Sequence, residues 1–123
     1  MIAFDSNMLL AIQALGVDVF GDARKMFGPG ANFFAPTQVF EELGRIEKRG
    51  IKMKKAVSVA REAIAKNSLK KVPVEAENAD SALLRLSGQG YCIATNDREL
   101  RKKIKSFGGT VIYLRQRKFL EAE

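Results

Sequence analysis

Four acidic residues sit where this sequence could put them to chemical use. Asp5 follows Ile-Ala-Phe directly, and Asp97 follows Cys-Ile-Ala-Thr-Asn, so each stands at or just past the end of a short apolar run. Glu42 shares a helical face with Val39, three residues before it, and with Ile46, four after. Asp80 stands in the same relation to Leu83 and Leu84, whereas Glu41 points away beside Gln38 and Arg45 as an ordinary surface acid. An unpartnered carboxylate on an inward stripe costs on the order of several kcal/mol, so Glu42 and Asp80 each need a partner. That partner is either a buried Arg or Lys for each acid or one cation shared by all four, and the shared cation is the simpler arrangement. Asp97 also lies in a segment with a structural reading. Asn96 and Glu99 have capping-box spacing and would open a helix carrying Leu100, Ile104 and Phe107.

Composition narrows the chemistry. The 123 residues include no histidine. That removes Ser-His and Cys-His nucleophile systems, histidine general bases and histidine-ligated zinc. What is left is carboxylates, lysines, hydroxyls or a hard metal ion. The single cysteine, Cys92, lies inside an apolar run and reads as a small core residue. It forms no internal disulfide, which suits a reducing cytoplasm. No apolar run approaches the roughly 20 residues that span a bilayer, and the N-terminus has no pattern of a cleavable signal. The expected compartment is the cytoplasm, with no membrane partner.

The formal charge of +7 is unevenly spread. Lys and Arg outnumber Asp and Glu by 10 to 2 over residues 44–71 and by 8 to 3 over 98–123. The acids lead by 5 to 2 over 1–43 and by 4 to 1 over 72–97, the blocks that hold the four acids above. Basic blocks flanking acidic ones suit a polyanionic partner or, more plainly, solvated helix faces.

The elements that must position these acids are legible as alternating runs. Strand-like stretches fall at 2–4, 32–35, 69–74, 91–94 and 110–114. Helical periodicity covers about 7–15, 18–27, 37–48, 51–66, 76–87 and the stretch from 98 to Gly108-Gly109. Strands apolar throughout and separated by helices predict a parallel sheet covered on both faces, in one three-layer α/β/α domain spanning residues 1–123. Reactive groups in such folds gather beyond the carboxyl ends of the strands. Phe33, Phe34 and Phe40 read as core residues rather than as platforms for bases.

The stretches AFDSN (3–7), PTQVFEEL (36–43), ADSALLRL (79–86) and ATNDREL (94–100) resemble the four signature stretches of PIN-domain nucleases, in order, spacing and context. The resemblance implies a five-stranded parallel sheet in the order 3-2-1-4-5, with the first and fourth strands side by side. It implies that Asp5, Glu42, Asp80 and Asp97 form the catalytic, metal-binding set, supported by Asn7, Thr95 and Asn96. The segment VIYLRQRKFLEAE further resembles archaeal single-domain PIN proteins related to the pre-ribosomal RNA endonucleases of the small-subunit processome.

All-oxygen ligation suits Mg²⁺ or Mn²⁺, as one or two ions. The expected reaction is metal-dependent hydrolysis of a phosphodiester by water in single-stranded RNA, and the narrower resemblance implies pre-ribosomal RNA as a candidate substrate. Arg45, Lys48, Arg49 and Lys52, with Arg98, Arg101, Lys102 and Lys103, are the expected contacts to the RNA backbone. Two other readings stand beside this one: a toxin ribonuclease with an antitoxin partner, and a catalytically silent RNA-binding subunit. Homodimerisation is left open. A phosphoacceptor receiver would need an acceptor Asp ending the third strand and a Lys ending the fifth; Val72-Pro73-Val74 and Tyr113-Leu114 stand there instead. A dehalogenase-type phosphatase would need a second Asp at position 7, where this chain has Asn7, and there is no GK[ST] phosphate loop.

Overall fold

Short apolar runs become strands, and the amphipathic stretches between them become helices. In the computed structural model, which describes residues 1–123, β1 (Ile2–Phe4) leads into α1 (Ser6–Leu15) and α2 (Val19–Phe27). Then come β2 (Phe33–Pro36), α3 (Thr37–Ile46), a 3₁₀ turn (Glu47–Arg49) and α4 (Ile51–Lys66). The second half runs β3 (Lys70–Val72), α5 (Ala79–Gly88), β4 (Cys92–Ala94), α6 (Arg98–Ser106), β5 (Val111–Arg115) and β6 (Phe119–Ala122). No helix is long and apolar enough to cross a membrane.

The strands form one sheet in the order β3-β2-β1-β4-β5-β6, parallel except for the antiparallel β6. Every residue of β1 and β4 is buried, which is why neither strand alternates apolar with polar positions. Their register pairs Ile2 with Cys92, Ala3 with Ile93 and Phe4 with Ala94. The next residues along, Asp5 and Thr95, therefore emerge together at the carboxyl end of the sheet. Asp5 N–H continues the ladder to the Ala94 carbonyl at 2.9 Å.

Phe4, Phe20 and Phe33 pack ring against ring at centroid separations of 4.8 to 5.6 Å. Met8, Leu9, Leu43, Leu83, Leu86, Ile93 and Leu100 fill the remaining core around the sheet. Each such side chain contributes roughly 1.5–3 kcal/mol by leaving water. Cys92 is buried as expected, and burial pushes its thiol up to about 11. Phe33 is core, whereas Phe34 and Phe40 are half-buried, Phe34 edge-on to Tyr91 and Phe40 beneath the Lys71 ammonium.

The structure corrects the sequence reading in several places. A sixth strand extends the expected order, because the chain reverses at Gln116-Arg117, both with positive φ (52° and 61°), and Lys118 N–H closes on the Arg115 carbonyl at 3.1 Å. Two left-handed central residues make the type I′ turn whose twist suits a tight hairpin. β3 is shorter than the expected 69–74 and is an edge strand with Lys70 and Lys71 exposed. α5 starts at Ala79 rather than 76, because Asn78 caps it by accepting the Ser81 N–H at 2.9 Å. Gln38 is not on the outer face. It is buried, and its amide donates to the carbonyls of Val74 and Ala76 at 2.6 and 3.1 Å, which ties the loop before α5 to α3. Phe107 follows α6 and is exposed, so the buried face of that helix is Leu100 and Ile104 alone.

Candidate functional site

Each of the four acids is delivered by a different junction. Asp5 and Asp97 are the N-caps of α1 and α6, directly past β1 and β4. Asp80 lies in the first turn of α5, and Glu42 in the second turn of α3. Asp5 is buried, with Oδ1 accepting from Ser6 N–H at 2.8 Å and Oδ2 accepting from the Thr95 hydroxyl at 2.7 Å. Asn7 Nδ2 also reaches Asp5 Oδ2 at 3.3 Å.

The three supporting residues form a seam between α1 and the end of β4. The Thr95 oxygen accepts the Asp97 N–H at 3.1 Å while its hydrogen goes to Asp5. Asn7 Oδ1 accepts the Asn96 N–H at 3.1 Å, and Asn96 Oδ1 accepts from Leu114 N–H on β5 at 2.9 Å. The helix cap belongs to Asp97 and not to Asn96. Asp97 Oδ1 accepts from Glu99 and Leu100 N–H at 2.9 and 3.3 Å, leaving Oδ2 free of those bonds. Asp97 is thus a cap and an acid at the crevice at once, and the two readings of its segment do not compete.

Glu42 is half-buried and Glu41 is exposed, as the helical face argument requires. Ser6, which the sequence reading passed over, donates its hydroxyl to Glu42 Oε1 and so couples α1 to α3. Only its place between Asp5 and Asn7 in AFDSN could have pointed to it. Asp80 departs from expectation: it is exposed at the rim, because α5 buries Ala79, Ala82, Leu83 and Leu86 instead.

The acids sense one another. Burial is the main cause that raises the Asp5 carboxyl from its usual 3.8 to about 6; the Thr95 and Ser6 hydrogen bonds oppose it, and Asp80 and Glu42 add to it. Asp80 is raised as well, first by burial and then by Asp97 and Glu42, with Lys103 pulling the other way. None of the three ion pairs, Arg61–Glu47, Lys102–Glu99 and Arg115–Glu121, involves the four acids. Buried Arg or Lys partners are therefore not what accommodates them.

The donor set is chemically suited to a hard divalent cation: all oxygen, mutually repelling and free of ion pairs. As the side chains stand, no three of them converge within reach of a single ion. Asp5 is fixed by its neighbours, whereas Glu42, Asp80 and Asp97 are less buried and would be the ones to move if an ion were held.

The predicted basic contacts separate into two groups. Arg98, Arg101, Lys102 and Lys103 lie on α6, which starts at the crevice. Arg98 and Arg101 line a cleft of about 550 Å³ beside it, and Lys103 is close enough to Asp80 to stabilise its charge. Arg45, Lys48, Arg49 and Lys52 are exposed on α3, the 3₁₀ turn and α4, and none is among the charges that shift Asp5 or Asp80.

A mostly parallel α/β sheet with acids from four junctions at its carboxyl end defines the class of fold. Residues 2–117 match the family described as PIN like domain, and the chain belongs to that family. Among solved structures it is similar to the PIN domain endonuclease Utp24, with a TM-score of 0.77 and 20% sequence identity over 99% of this chain and 90% of that chain. At that identity the likeness is one of fold. No curated protein matches the sequence.

Proposed function

We propose that this protein is a divalent-metal-dependent endoribonuclease that hydrolyses phosphodiester bonds in single-stranded RNA. The observation that carries the proposal is the Thr95 hydroxyl joining Asp5 to the Asp97 backbone, with Asp80 and Glu42 near enough to act on Asp5 electrostatically. The endonuclease activity named for the structurally similar Utp24 supports it. A bound Mg²⁺ or Mn²⁺ would stabilise charge on a phosphoryl oxygen and make water a better nucleophile.

The chain's own residues divide the remaining work. Thr95, Ser6 and Asn7 hold Asp5 in one orientation, so its carboxylate is positioned before substrate arrives. Asp97, beside it past the neighbouring strand, offers the Oδ2 that its helix-capping bonds leave free. Asp80 has a raised carboxyl and an exposed position, which suits it to take the proton of the attacking water as the new O–P bond forms and the ester P–O bond breaks. Arg98 in the first turn of α6 and Lys103 in its last would face the substrate's phosphates. Given the resemblance of the 111–123 segment, precursor ribosomal RNA is the substrate to test first.

The deciding experiment is cleavage of a labelled single-stranded RNA with Mn²⁺ or Mg²⁺. Cutting that stops with chelator and is absent in Asp5→Asn supports the proposal. Metal-independent cutting, or cutting undiminished in Asp5→Asn, overturns it. Binding with no cutting under any metal makes the protein an RNA-binding scaffold.

A further inference from the structure

A concavity lies on the flank of the carboxylates, between α1 and β5. Its volume of about 550 Å³ is within the usual range of small-molecule sites, about 300–1,000 Å³. One wall is apolar, made by Leu10, Ala14 and Leu15 of α1. The other is cationic, with three guanidinium groups, Arg98, Arg101 and Arg117, and no carboxylate in the lining.

Arg101 is the unusual member. Its guanidinium lies over the Tyr113 ring at 4.2 Å from the centroid, which fixes its plane. Its Nε and Nη1 atoms are buried and have no hydrogen-bond acceptor. Those two atoms are closed off by the surrounding protein, but the third, Nη2, is not, and it makes no hydrogen bond either, so an anion entering the cleft would meet a guanidinium whose charge no acceptor in the chain has satisfied. A second basic hollow, shared by Arg98, Arg101, Lys102 and Lys105, continues from the same guanidinium along α6.

Asn7 lines this cleft and also hydrogen-bonds to Asp5, so cleft and crevice are adjoining stations on one path. We infer that the α1–β5 cleft is a nucleotide subsite, in which Arg101, braced by Tyr113, takes a phosphate and the apolar α1 wall takes the adjoining base of the bound strand. The inference rests on the ribonuclease reading for the identity of the strand, but not for the binding itself. A flat apolar slot beside a fixed guanidinium suits a base of any sequence, because every base has a face to pack.

Binding is tested in the Asp5→Asn protein with EDTA present, so that nothing is cut. The probes are a nucleoside 5′-monophosphate, the matching nucleoside, inorganic phosphate and an acidic peptide, followed by NMR of the Tyr113 ring. The monophosphate should shift the Tyr113 signals and bind at least about tenfold more tightly than nucleoside or phosphate alone. Arg101→Met should lose about tenfold in that affinity, with the melting temperature of the free protein unchanged or raised, since an unpartnered charge has been removed. Ala14→Phe fills the cleft from an exposed position on α1 and should block the monophosphate with Arg101 intact.

Four results overturn the inference: no response at Tyr113, phosphate binding as well as the monophosphate, the peptide binding as well, or Arg101→Met melting lower because the residue is structural. The two readings fail separately. RNA that is cut by a protein whose Arg101→Met and Ala14→Phe variants bind normally removes the subsite alone. Monophosphate binding that depends on Arg101 in a protein that cuts no RNA removes the nuclease alone.

Discussion

Thr95 donates its hydroxyl hydrogen to Asp5 at 2.7 Å and takes the backbone N–H of Asp97 on the same oxygen at 3.1 Å. One buried atom therefore sets the spacing between the first and the last of the four acids. Thr95→Val keeps the volume but leaves the Asp97 N–H without its acceptor and removes a bond that lowers the Asp5 carboxyl. The expected outcome is a loss of about 1–3 kcal/mol in urea denaturation and an Asp5 carboxyl displaced above 6. A variant as stable as wild type with an unmoved pH–rate profile would remove Thr95 from the site.

Asp5 should govern how metal-free stability varies with pH. Its folded-state value, about 6, lies above the usual 3.8, so the folded chain holds this proton more tightly than the unfolded one. The sign follows: the Asp5 contribution is most favourable below about 4 and is lost as pH rises through 6. The full difference is roughly 3 kcal/mol at about 1.4 kcal/mol per pH unit. Asp5→Asn should abolish this slope and melt at or above the wild-type temperature at pH 7 without metal. Manganese affinity of the wild type should rise through the same window. Calorimetry across pH 4–8 checks both, and a strongly destabilised Asp5→Asn would mark Asp5 as a structural partner instead.

Glu42 and Glu41 are adjacent in sequence but should not be equivalent. Glu42→Gln should weaken Mn²⁺ binding and lower the cleavage rate by tenfold or more, about 1.4 kcal/mol. Glu41→Gln should do neither, because its side chain is in solvent. Ser6→Ala should fall between them, since it frees Glu42 without removing its charge. Isothermal titration with Mn²⁺ and single-turnover rates compare the three, and equal effects at 41 and 42 would refute the assignment.

Arg98, Arg101 and Lys102 should act on binding more than on chemistry. Replacing all three with Gln should weaken binding of single-stranded RNA and flatten its salt dependence by up to about 2 in slope, given about 0.7 per phosphate contact. The single-turnover rate at saturating RNA should hold. The companion set Arg45, Lys48, Arg49 and Lys52, on α3, the 3₁₀ turn and α4, should leave the slope within about 1 of wild type. A reversed ranking of the two sets would move the RNA path onto α3 and α4.

Most of the fold was readable because its signals are local or periodic. The burial of β1 and β4 on both faces wrote itself as unbroken apolar runs, and α3 announced its buried side through Val39, Leu43 and Ile46. β6 was not readable, because its type I′ turn is made by Gln116-Arg117 rather than by the Asn-Gly or Asp-Gly that usually mark one. Of the site, Asp5 and Asp97 followed from strand ends and Glu42 from its face. Asp80 was placed too deep, since the same face rule cannot tell a rim from a core. Ser6 and the orphaned donors of Arg101 depend on contacts far apart in sequence, with Glu42 and with Tyr113. Ser6 and Glu42 share no short window, and Arg101 and Tyr113 lie on different elements, α6 and β5, that meet only in the folded sheet.

The pairing of β1 with β4 has a consequence for when the protein becomes competent. Asp5 and Thr95 meet across nearly the whole length of the chain, so the contact that orients the first acid carries one of the largest loop-closure costs in the molecule. During synthesis, Asp5 and Glu42 leave the ribosome long before Thr95, Asn96 and Asp97 exist. An emerging chain thus holds half of the acids and, of the seam that aligns them, only Asn7, and the proposed cutting centre assembles only with the final closure of the sheet. On the proposed reading, no cutting begins before that sheet is closed.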